Sequence, residues 1–325
     1  MNQVETRTID RDEAGMRLDR WFRAHYPEVA FGHLQKLLRS GQIRVDGKRA
    51  RSNSRLEPGQ SVRVPPLDTK PAPSGTLTAP RQDDNLRAYL LHEDDAVLVF
   101  NKPAGLAVQG GSGLTRHVDQ MLETWRDRRG QKPRLVHRLD RETSGVLVVA
   151  KTRLAASRLS AAFRSRSTRK VYWALVAGVP KPRQGRISTW IARERAGEGE
   201  KMAVVAQGAA EADHAVTAYS VVDQAGPSLA WLSMRPVTGR THQLRVHAAH
   251  IGTPIVGDPL YFDRPDWQLP GGIQNRLHLH ARRIRIPHPD GGSLDVTAPL
   301  PPHMQQSWNL LGFESDAAAE SEDEE

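Results

Sequence analysis

The most informative segment of this chain is LVHRLDRETSGVLVVAKT, residues 135–152. The apolar pair Leu135 and Val136 predicts a strand that enters the segment, and the run 146–150 predicts a buried strand that leaves it. The polar turn between them contains Asp140. A carboxylate on a turn between two buried strands is held rigidly, as a catalytic group must be. The same position also suits an aspartate that only caps the turn, and spacing alone does not separate the two interpretations.

Outward from this segment, five further apolar runs predict strands. They are VLVFNKP (97–103), KVYWALVAG (170–178), AVTAYSVV (215–222), LAWLSMRPV (229–237) and LHLHARRIRI (277–286). Helical spacing of apolar residues occurs at 115–129, 153–166 and 241–251. Because strands outnumber helices and do not alternate regularly with them, the pattern predicts an α+β domain with a mixed, mainly antiparallel sheet.

Residues 14–66 form a smaller, separate pattern. Apolar residues follow helical spacing at 16–22 and 34–38, and the second predicted helix ends at Gly41. Asp46-Gly47 predicts a tight turn after a short strand, and the alternation at 62–64 predicts a final strand. The segment concentrates cations that could bind phosphates: Lys36, Arg39, Arg44, Lys48, Arg49, Arg51 and Arg55. A run of charges is also commonly no more than a solvated surface.

The organisation of the chain follows from these patterns. Its 325 residues suit two unequal domains, which we place at 14–66 and 85–312. The Pro-, Ser- and Thr-rich segment 67–84 predicts an extended linker. The acidic residues of 313–325 predict a disordered tail.

Composition narrows the classes of function. The formal net charge is +9 despite the acidic tail, which favours a polyanionic partner such as nucleic acid over a surface charged only for solubility. The chain has no cysteine, which excludes disulfides, thiol catalysis and cysteine-ligated zinc and suits a cytoplasmic protein. No apolar run is long enough to span a membrane, and the N-terminus does not read as a secretory signal. Nothing in the sequence indicates more than a monomer.

The N-terminal segment resembles a known module. The order RLDRWF (17–22), LQKLLRSGQIRVDGKR (34–49) and LEPGQSVRVPP (56–66) is similar to an S4 domain, a small RNA-binding module. The resemblance covers nearly the whole segment. It implies binding of structured RNA through shape and phosphates rather than through base reading.

The larger segment resembles the RluA family of pseudouridine synthases in several motifs that occur in the family's order. These are NKPAGLAVQGGSG (101–113), HRLDRETSG (137–145), RKVYWALVAG (169–178), PVTGRTHQLRVHAAHIGTPIVGDPLYF (236–262) and LHLHARRIRIPHP (277–289). The resemblance covers about 85–312. One departure is Gln109, which stands where many family members have histidine.

The resemblance implies roles for three residues in the cleavage of the bond between uracil and ribose. Asp140 would be the catalytic carboxylate. Arg245 would be its ion-pair partner, although an arginine on an amphipathic helix can also lie at the surface. Tyr172 would lie against the uracil ring and could assist proton removal, although it also fits an ordinary strand aromatic.

Other residues would hold the substrate. Uracil in folded RNA is stacked and must be extruded, and the resemblance implies that Arg138 fills the gap left behind. Arg138 could instead position a phosphate. The residues that we expect to contact the substrate are His137, Arg138, Arg240 and His242. Isomerisation adds and removes nothing, so we expect no cofactor and no metal. The remaining histidines, among them His247, His250, His278, His280 and His288, lack a carboxylate at a spacing that suits a metal site.

Three questions stay open at this point. Within the family, the motif wording resembles members that modify 23S rRNA, so we expect 23S rRNA or a pre-50S particle as partner, with other rRNA sites or tRNA as the alternative. A non-catalytic RNA-binding assembly protein could retain the same fold. A glycosidic hydrolase would also use a carboxylate, but it normally needs a pair of acids at fixed separation.

Overall fold

The computed structural model describes residues 4–10, 13–26, 29, 31–67, 86–110, 116–165, 167–196 and 199–315. Nearly all of the predicted linker and the last ten residues of the predicted acidic tail lie outside these residues. The chain divides into two compact units, 1–84 and 85–325.

The described part of the N-terminal unit contains four strands and two helices. They are β1 (Glu5–Thr8), α1 (Leu18–His25), α2 (Phe31–Arg39), β2 (Arg44–Val45), β3 (Lys48–Arg49) and β4 (Ser61–Val64). The strands form one antiparallel sheet in the order β1-β4-β2-β3. Asp46 (φ 48°) and Gly47 (φ 73°) both adopt the left-handed conformation, as the two-residue hairpin turn between β2 and β3 requires. The predicted tight turn is therefore confirmed, and β1 adds a strand ahead of residue 14.

The second unit contains eleven strands and four α-helices among its described residues. They are β5 (Leu90–Glu93), β6 (Val97–Lys102), α3 (Val118–Met121), β7 (Arg134–Leu135), β8 (Ser144–Ala150), α4 (Arg153–Arg164), β9 (Arg169–Ala177), β10 (Gln184–Ala196), β11 (Gly199–Val205), β12 (Asp213–Ala225), β13 (Leu229–Pro236), α5 (Gln243–His250), β14 (Leu279–Pro287), β15 (Ser293–Thr297) and α6 (Pro302–Leu311). Short 3₁₀ helices occur at Leu86–Tyr89 and Leu122–Trp125.

All eleven strands belong to one sheet. Its main path is β11-β10-β12-β13-β9-β14-β8-β6-β5, with β15 paired to β14 and β7 paired to β8. Every recorded pairing is antiparallel except that of β8 with β14. The predicted α+β class with a mixed, mainly antiparallel sheet is confirmed.

Some elements differ from the prediction. The helix predicted at 115–129 is a short α3 followed by a 3₁₀ turn, so helical spacing overestimated its length. The hairpin of β10 and β11 was not predicted, because it carries many charged residues and lies at an edge of the sheet where apolar alternation is weak. Helix α6 was also not predicted, although Pro302 at its start and the buried Met304 and Trp308 are typical helix signals.

The parallel pairing of β8 with β14 positions the turn that contains Asp140. It aligns Ser144 with His280 and Gly145 with Ala281. Gly145 has φ +113°, and a Cβ at this position would lie 2.2 Å from the carbonyl oxygen of Ala281. Only glycine therefore allows the two strands to approach this closely. The hydroxyl of Ser144 and Nδ1 of His280, 2.9 Å apart, add a buried hydrogen bond at the same place.

Candidate active site

A cavity of about 710 Å³ lies over the Asp140 turn, and its size is typical of ligand sites. Its walls come from the 137–143 turn, the end of α4, the start of β9, the loop 236–242 and the start of α5. The structure brings all seven residues predicted for catalysis and substrate binding to this cavity: His137, Arg138, Asp140, Tyr172, Arg240, His242 and Arg245.

The carboxylate of Asp140 does not cap its own turn. The turn is closed by the backbone N–H of Thr143, which donates to the carbonyl oxygen of Asp140 at 3.1 Å. Among the described residues, the recorded partner of the carboxylate is Arg245, whose Nη1 lies 3.9 Å from Oδ2. The Asp140 side chain is 21% exposed and lines the cavity. The arrangement therefore leaves the carboxylate available to a ligand.

Arg245 lies closer to a second carboxylate than to Asp140. Its Nε and Nη2 donate to Asp258 at 2.8 and 2.7 Å, a two-point ion pair that is almost completely buried. Although burial lowers the pKa of Arg245, the hydrogen bonds and charge of Asp258 raise it above its ordinary value. The guanidinium stays charged and turns Nη1 toward Asp140. The alternative of a surface arginine is wrong, because Arg245 is 3% exposed.

The sequence analysis did not assign a role to Asp258. Its Oδ1 also accepts the backbone N–H groups of Leu260 and Tyr261 at 2.9 and 3.2 Å, which fixes the carboxylate in place. The available signal was a lone acid, Asp258, in an otherwise apolar stretch downstream of the arginine motif. A buried acid of this kind needs a cation as partner.

Tyr172 lies on β9 and faces the cavity. Burial, and to a smaller extent the charge of Asp140, raises the pKa of Tyr172 far above its ordinary value. The phenol is therefore neutral at physiological pH and can contact a ring or donate a hydrogen bond. It does not provide a phenolate base.

Lys170 lines the same cavity and was not predicted to belong to it. It lies two residues before Tyr172 on β9, and residues two apart on a strand share a face. Burial lowers the pKa of Lys170, and among the described residues its ammonium has no acidic partner. The cavity thus contains a cation that the fold does not neutralise. Its spacing from Tyr172 is the sequence signal that could have identified it.

Three of the residues predicted to contact the substrate differ in whether their side chains already interact with other groups of the protein. Nε2 of His137 accepts the backbone N–H of Val148 at 2.8 Å, so this ring also holds β8 in place. Burial, with a smaller contribution from Lys170, lowers the pKa of His137 to about 3. Nη1 of Arg240 lies 3.3 Å from Oδ1 of Asp213. Arg138 is exposed at the rim, without a recorded acidic partner in the described parts of the chain.

His242 precedes α5 in the left-handed conformation, with φ 53°. Its Nδ1 lies 2.9 Å from the hydroxyl of Tyr261. Burial lowers the pKa of His242, and the charge of Asp140 opposes that shift. The ring is therefore neutral at pH 7.

Lys102 ties the NKPAG segment to the Asp140 turn. Lys102 is 1% exposed, and its ammonium donates to the carbonyl oxygens of Pro103, Leu106 and Arg141 at 2.9, 2.8 and 3.0 Å. Burial lowers the pKa of Lys102 to about 7.

Thr143, at the end of the Asp140 turn, contributes a buried hydroxyl to the cavity wall. This hydroxyl has no hydrogen-bond partner among the described residues.

The remaining predictions concern the surface and possible metal or membrane sites. The basic cluster of the N-terminal unit is exposed throughout: Lys36, Arg39, Arg44, Lys48, Arg49, Arg51 and Arg55. Gln109 is exposed, and most of the adjoining GGSG loop lies outside the described residues. Within the described ranges, no group of three His, Asp or Glu side chains could hold a metal ion. No helix in the described part of the chain is long and apolar enough to cross a bilayer.

Comparison with known proteins agrees with this geometry. The family model of RNA pseudouridylate synthases matches residues 96–250. Ribosomal large subunit pseudouridine synthase C of Escherichia coli K12 is 38% identical over 314 residues, which cover 95% of this chain and 97% of that protein. The protein of the same name from Vibrio cholerae is 34% identical over 323 residues, covering 96% and 99%. The solved structure of human RNA pseudouridylate synthase domain containing 4 superposes with a TM-score of 0.59 at 30% identity, over 70% of this chain and 94% of that chain.

The chain therefore belongs to the RNA pseudouridylate synthase family and is an isomerase of uridine in RNA. Within that family it is of the RluA type, and it is similar over nearly its whole length to ribosomal large subunit pseudouridine synthase C. The predicted class of enzyme is confirmed.

Proposed function

We propose that this enzyme converts specific uridines of 23S rRNA into pseudouridine, with Asp140 as the catalytic carboxylate. The observation that carries the catalytic part is the uncapped carboxylate of Asp140 in a cavity, 3.9 Å from the buried guanidinium of Arg245. The choice of large-subunit RNA is supported by the names of relatives that match almost from end to end.

In the proposed reaction, Asp140 promotes cleavage of the bond between N1 of uracil and C1′ of ribose. The free uracil turns, and C5 forms the new bond to C1′. C5 then loses its proton and N1 gains one, so the product is an isomer of uridine. Arg245 orients Asp140, because Asp258 holds two of the three guanidinium nitrogens of Arg245 and leaves Nη1 for Asp140. Tyr172, neutral and two residues beyond Lys170, supports the ring.

The same cavity suits extrusion of a nucleotide from folded RNA. Arg138 stands exposed at the rim, where a planar cation can stack in the vacated space or bind a phosphate. His137, Arg240 and His242 complete the wall that we propose for the substrate.

We further propose that residues 14–66 act as an S4-like RNA-binding domain. Their seven exposed cations can release counterions from rRNA phosphates and so raise affinity without base reading. The segments 67–84, 85–312 and 313–325 would be the linker, the catalytic domain and an acidic tail. Cytoplasmic location and a monomeric state belong to the same proposal.

The decisive experiment is pseudouridine mapping of 23S rRNA from cells that lack this protein. Wild type and Asp140→Asn are added back, with Asp266→Asn, an exposed aspartate outside the cavity, as matched control. We expect the missing pseudouridines to return with wild type and Asp266→Asn only, because Asn cannot supply the carboxylate. In a purified assay we expect Asp140→Asn to lower kcat by on the order of 10³-fold or more.

Three outcomes would contradict the proposal. Unchanged 23S rRNA with altered tRNA would move the substrate to tRNA. Full activity of Asp140→Asn would remove Asp140 from catalysis, and release of free uracil would indicate glycosidic hydrolysis.

A further inference from the structure

The backbone of His242 is in the left-handed conformation, which the surrounding structure must stabilise. A left-handed φ of 53° in a residue other than glycine costs free energy, and such residues cluster at functional sites. His242 lines the cavity that contains Asp140. Among the described residues, the hydrogen-bond partner of its ring is Tyr261.

The hydroxyl of Tyr261 has two recorded partners in the described parts of the chain. The backbone N–H of Met202 donates to it at 2.9 Å, and Nδ1 of His242 lies 2.9 Å away. Since Met202 uses the oxygen as an acceptor, the single hydroxyl proton is free to be donated to Nδ1. A neutral imidazole that accepts at Nδ1 carries its proton on Nε2.

The Nε2–H group has no recorded partner among the described residues, and His242 faces the cavity. The charged groups around the ring are Asp140, Arg138, Arg245 and Asp258. Burial lowers the pKa of His242, so the ring remains neutral and keeps one donor and one acceptor. The ring of His242 therefore presents one N–H donor in a fixed direction to the cavity that contains Asp140.

We propose that Tyr261 locks His242 as its Nε2–H tautomer, and that this N–H donates a hydrogen bond to a carbonyl oxygen of the extruded uracil. When the N1–C1′ bond breaks, its electron pair stays on N1 and the negative charge spreads over the ring carbonyl oxygens. A neutral donor stabilises that charge as it develops, and its proton stays on Nε2. The inference rests on the proposed role of the cavity around Asp140.

Tyr261 is a positioning residue in this scheme. Its ring packs against the guanidinium of Arg245, 5.0 Å from ring centre to Cζ, and its backbone N–H donates to Asp258. Tyr261→Phe keeps both of these contacts and removes only the hydroxyl. The variant therefore tests the hydrogen bond to His242 separately from the support of Arg245.

The first test compares His242→Gln with His242→Asn. The amide of Gln reaches the position of Nε2 and can donate there, whereas the amide of Asn reaches only the position of Nδ1. Asn tolerates the left-handed backbone better than Gln, so a purely structural role would favour Asn. We expect Gln to retain kcat within about 10-fold and Asn to lose about 100-fold, with KM for RNA unchanged in both. Equal activities, or a more active Asn variant, would overturn the proposal.

The second test reads the tautomer directly. We expect ¹⁵N spectra of the histidine-labelled full chain to show His242 protonated on Nε2 and not on Nδ1. Tyr261→Phe should give a mixture of tautomers and a kcat lower by roughly 10-fold at unchanged KM. A proton on Nδ1 in the wild type, or an unchanged kcat in Tyr261→Phe, would refute the proposal that Tyr261 fixes the tautomer of His242.

The two proposals fail in different ways. Full activity of Asp140→Asn would remove the cavity from catalysis altogether. An inactive Asp140→Asn together with a fully active His242→Asn would leave the site in place and reject only the donor assigned to His242.

Discussion

At the residue scale, Thr143 contributes a buried hydroxyl to the cavity. The residue is 2% exposed, and its Oγ1 has no hydrogen-bond partner among the described residues. A buried polar atom without a partner costs free energy. Because this hydroxyl does little to stabilise the fold, we expect it to form a hydrogen bond with the bound substrate.

Thr143→Val removes the hydroxyl while keeping the shape of the side chain. We expect kcat to fall by roughly 10-fold, the scale of one lost hydrogen bond, while the free energy of unfolding stays the same or rises by about 1 kcal/mol. Thr143→Ser, which keeps the hydroxyl, should retain activity. A fully active Val variant, or one that is strongly destabilised, would contradict this role.

Lys170 carries an ammonium without an acidic partner in the described part of the chain, close to the loop that contains Gly239. Burial lowers the pKa of Lys170. A phosphate of the extruded nucleotide is the ligand that fits it.

We expect Lys170→Met to weaken RNA binding and to reduce the slope of log K against log salt by about one, while kcat at saturating RNA changes little. Equilibrium binding at several salt concentrations measures this. Lys181→Met, at an exposed lysine outside the cavity, is the matched control. An unchanged slope combined with a large fall in kcat would place Lys170 at the uracil ring instead.

At the scale of elements, the parallel contact between β8 and β14 fixes the Asp140 turn. Gly145 allows this contact because a Cβ would meet the carbonyl oxygen of Ala281 at 2.2 Å. Behind the contact, Ser144 and His280 share a hydrogen bond. A small change at the contact between β8 and β14 therefore affects both the stability of the sheet and the orientation of the Asp140 turn.

Gly145→Ala should lower the free energy of unfolding by roughly 3 kcal/mol or more, since a left-handed φ and a backbone clash add together. Gly130→Ala is the control, because Gly130 has φ 74° but no atom within 4 Å of the added Cβ. We expect Gly130→Ala to cost about 1–2 kcal/mol, which is the cost of the backbone conformation alone. Denaturant unfolding of the two variants gives the comparison, and equal costs would reject the steric argument.

At the scale of the whole molecule, several buried histidines make stability depend on pH. Burial lowers the pKa of His280 to about 3 and the pKa values of His247 and His278 to about 4. All three are buried and hydrogen-bonded as neutral rings. Below pH 6.5 the unfolded chain binds protons at these rings and the folded chain does not.

The contribution of these three histidines to the free energy of unfolding should therefore be constant above about pH 6.5 and fall as the pH drops toward 4, by about 1 kcal/mol per pH unit for each histidine. Denaturant midpoints between pH 7 and 4.5 measure the slope. His280→Gln, which can both donate and accept, should make the slope shallower, whereas His250→Gln at an exposed position should not. An unchanged slope in His280→Gln would contradict the assignment of His280 as a source of the pH dependence of stability.

Local patterns in the chain were sufficient for the class of fold and for the centre of the site. The alternation and apolar runs at β6, β8, β9, β12, β13 and β14 each predicted the correct element. Asp140, Tyr172 and Arg245 were found through motifs that are contiguous in sequence, and the structure brings them to one cavity. The length of the helix predicted at 115–129 was overestimated from its apolar spacing, and the β10–β11 hairpin was missed because its apolar alternation is weak.

The partners of those residues depended on the folded chain. Arg245 pairs with Asp258, 13 residues along the chain, and Ser144 meets His280, 136 residues along the chain. Tyr261 connects Met202 with His242 in the same way. Periodicity records which side of an element is buried, but it does not record which elements become neighbours. The proposed catalytic carboxylate, Asp140, could thus be predicted from the sequence, whereas the groups that orient its surroundings depend on which elements the fold brings together.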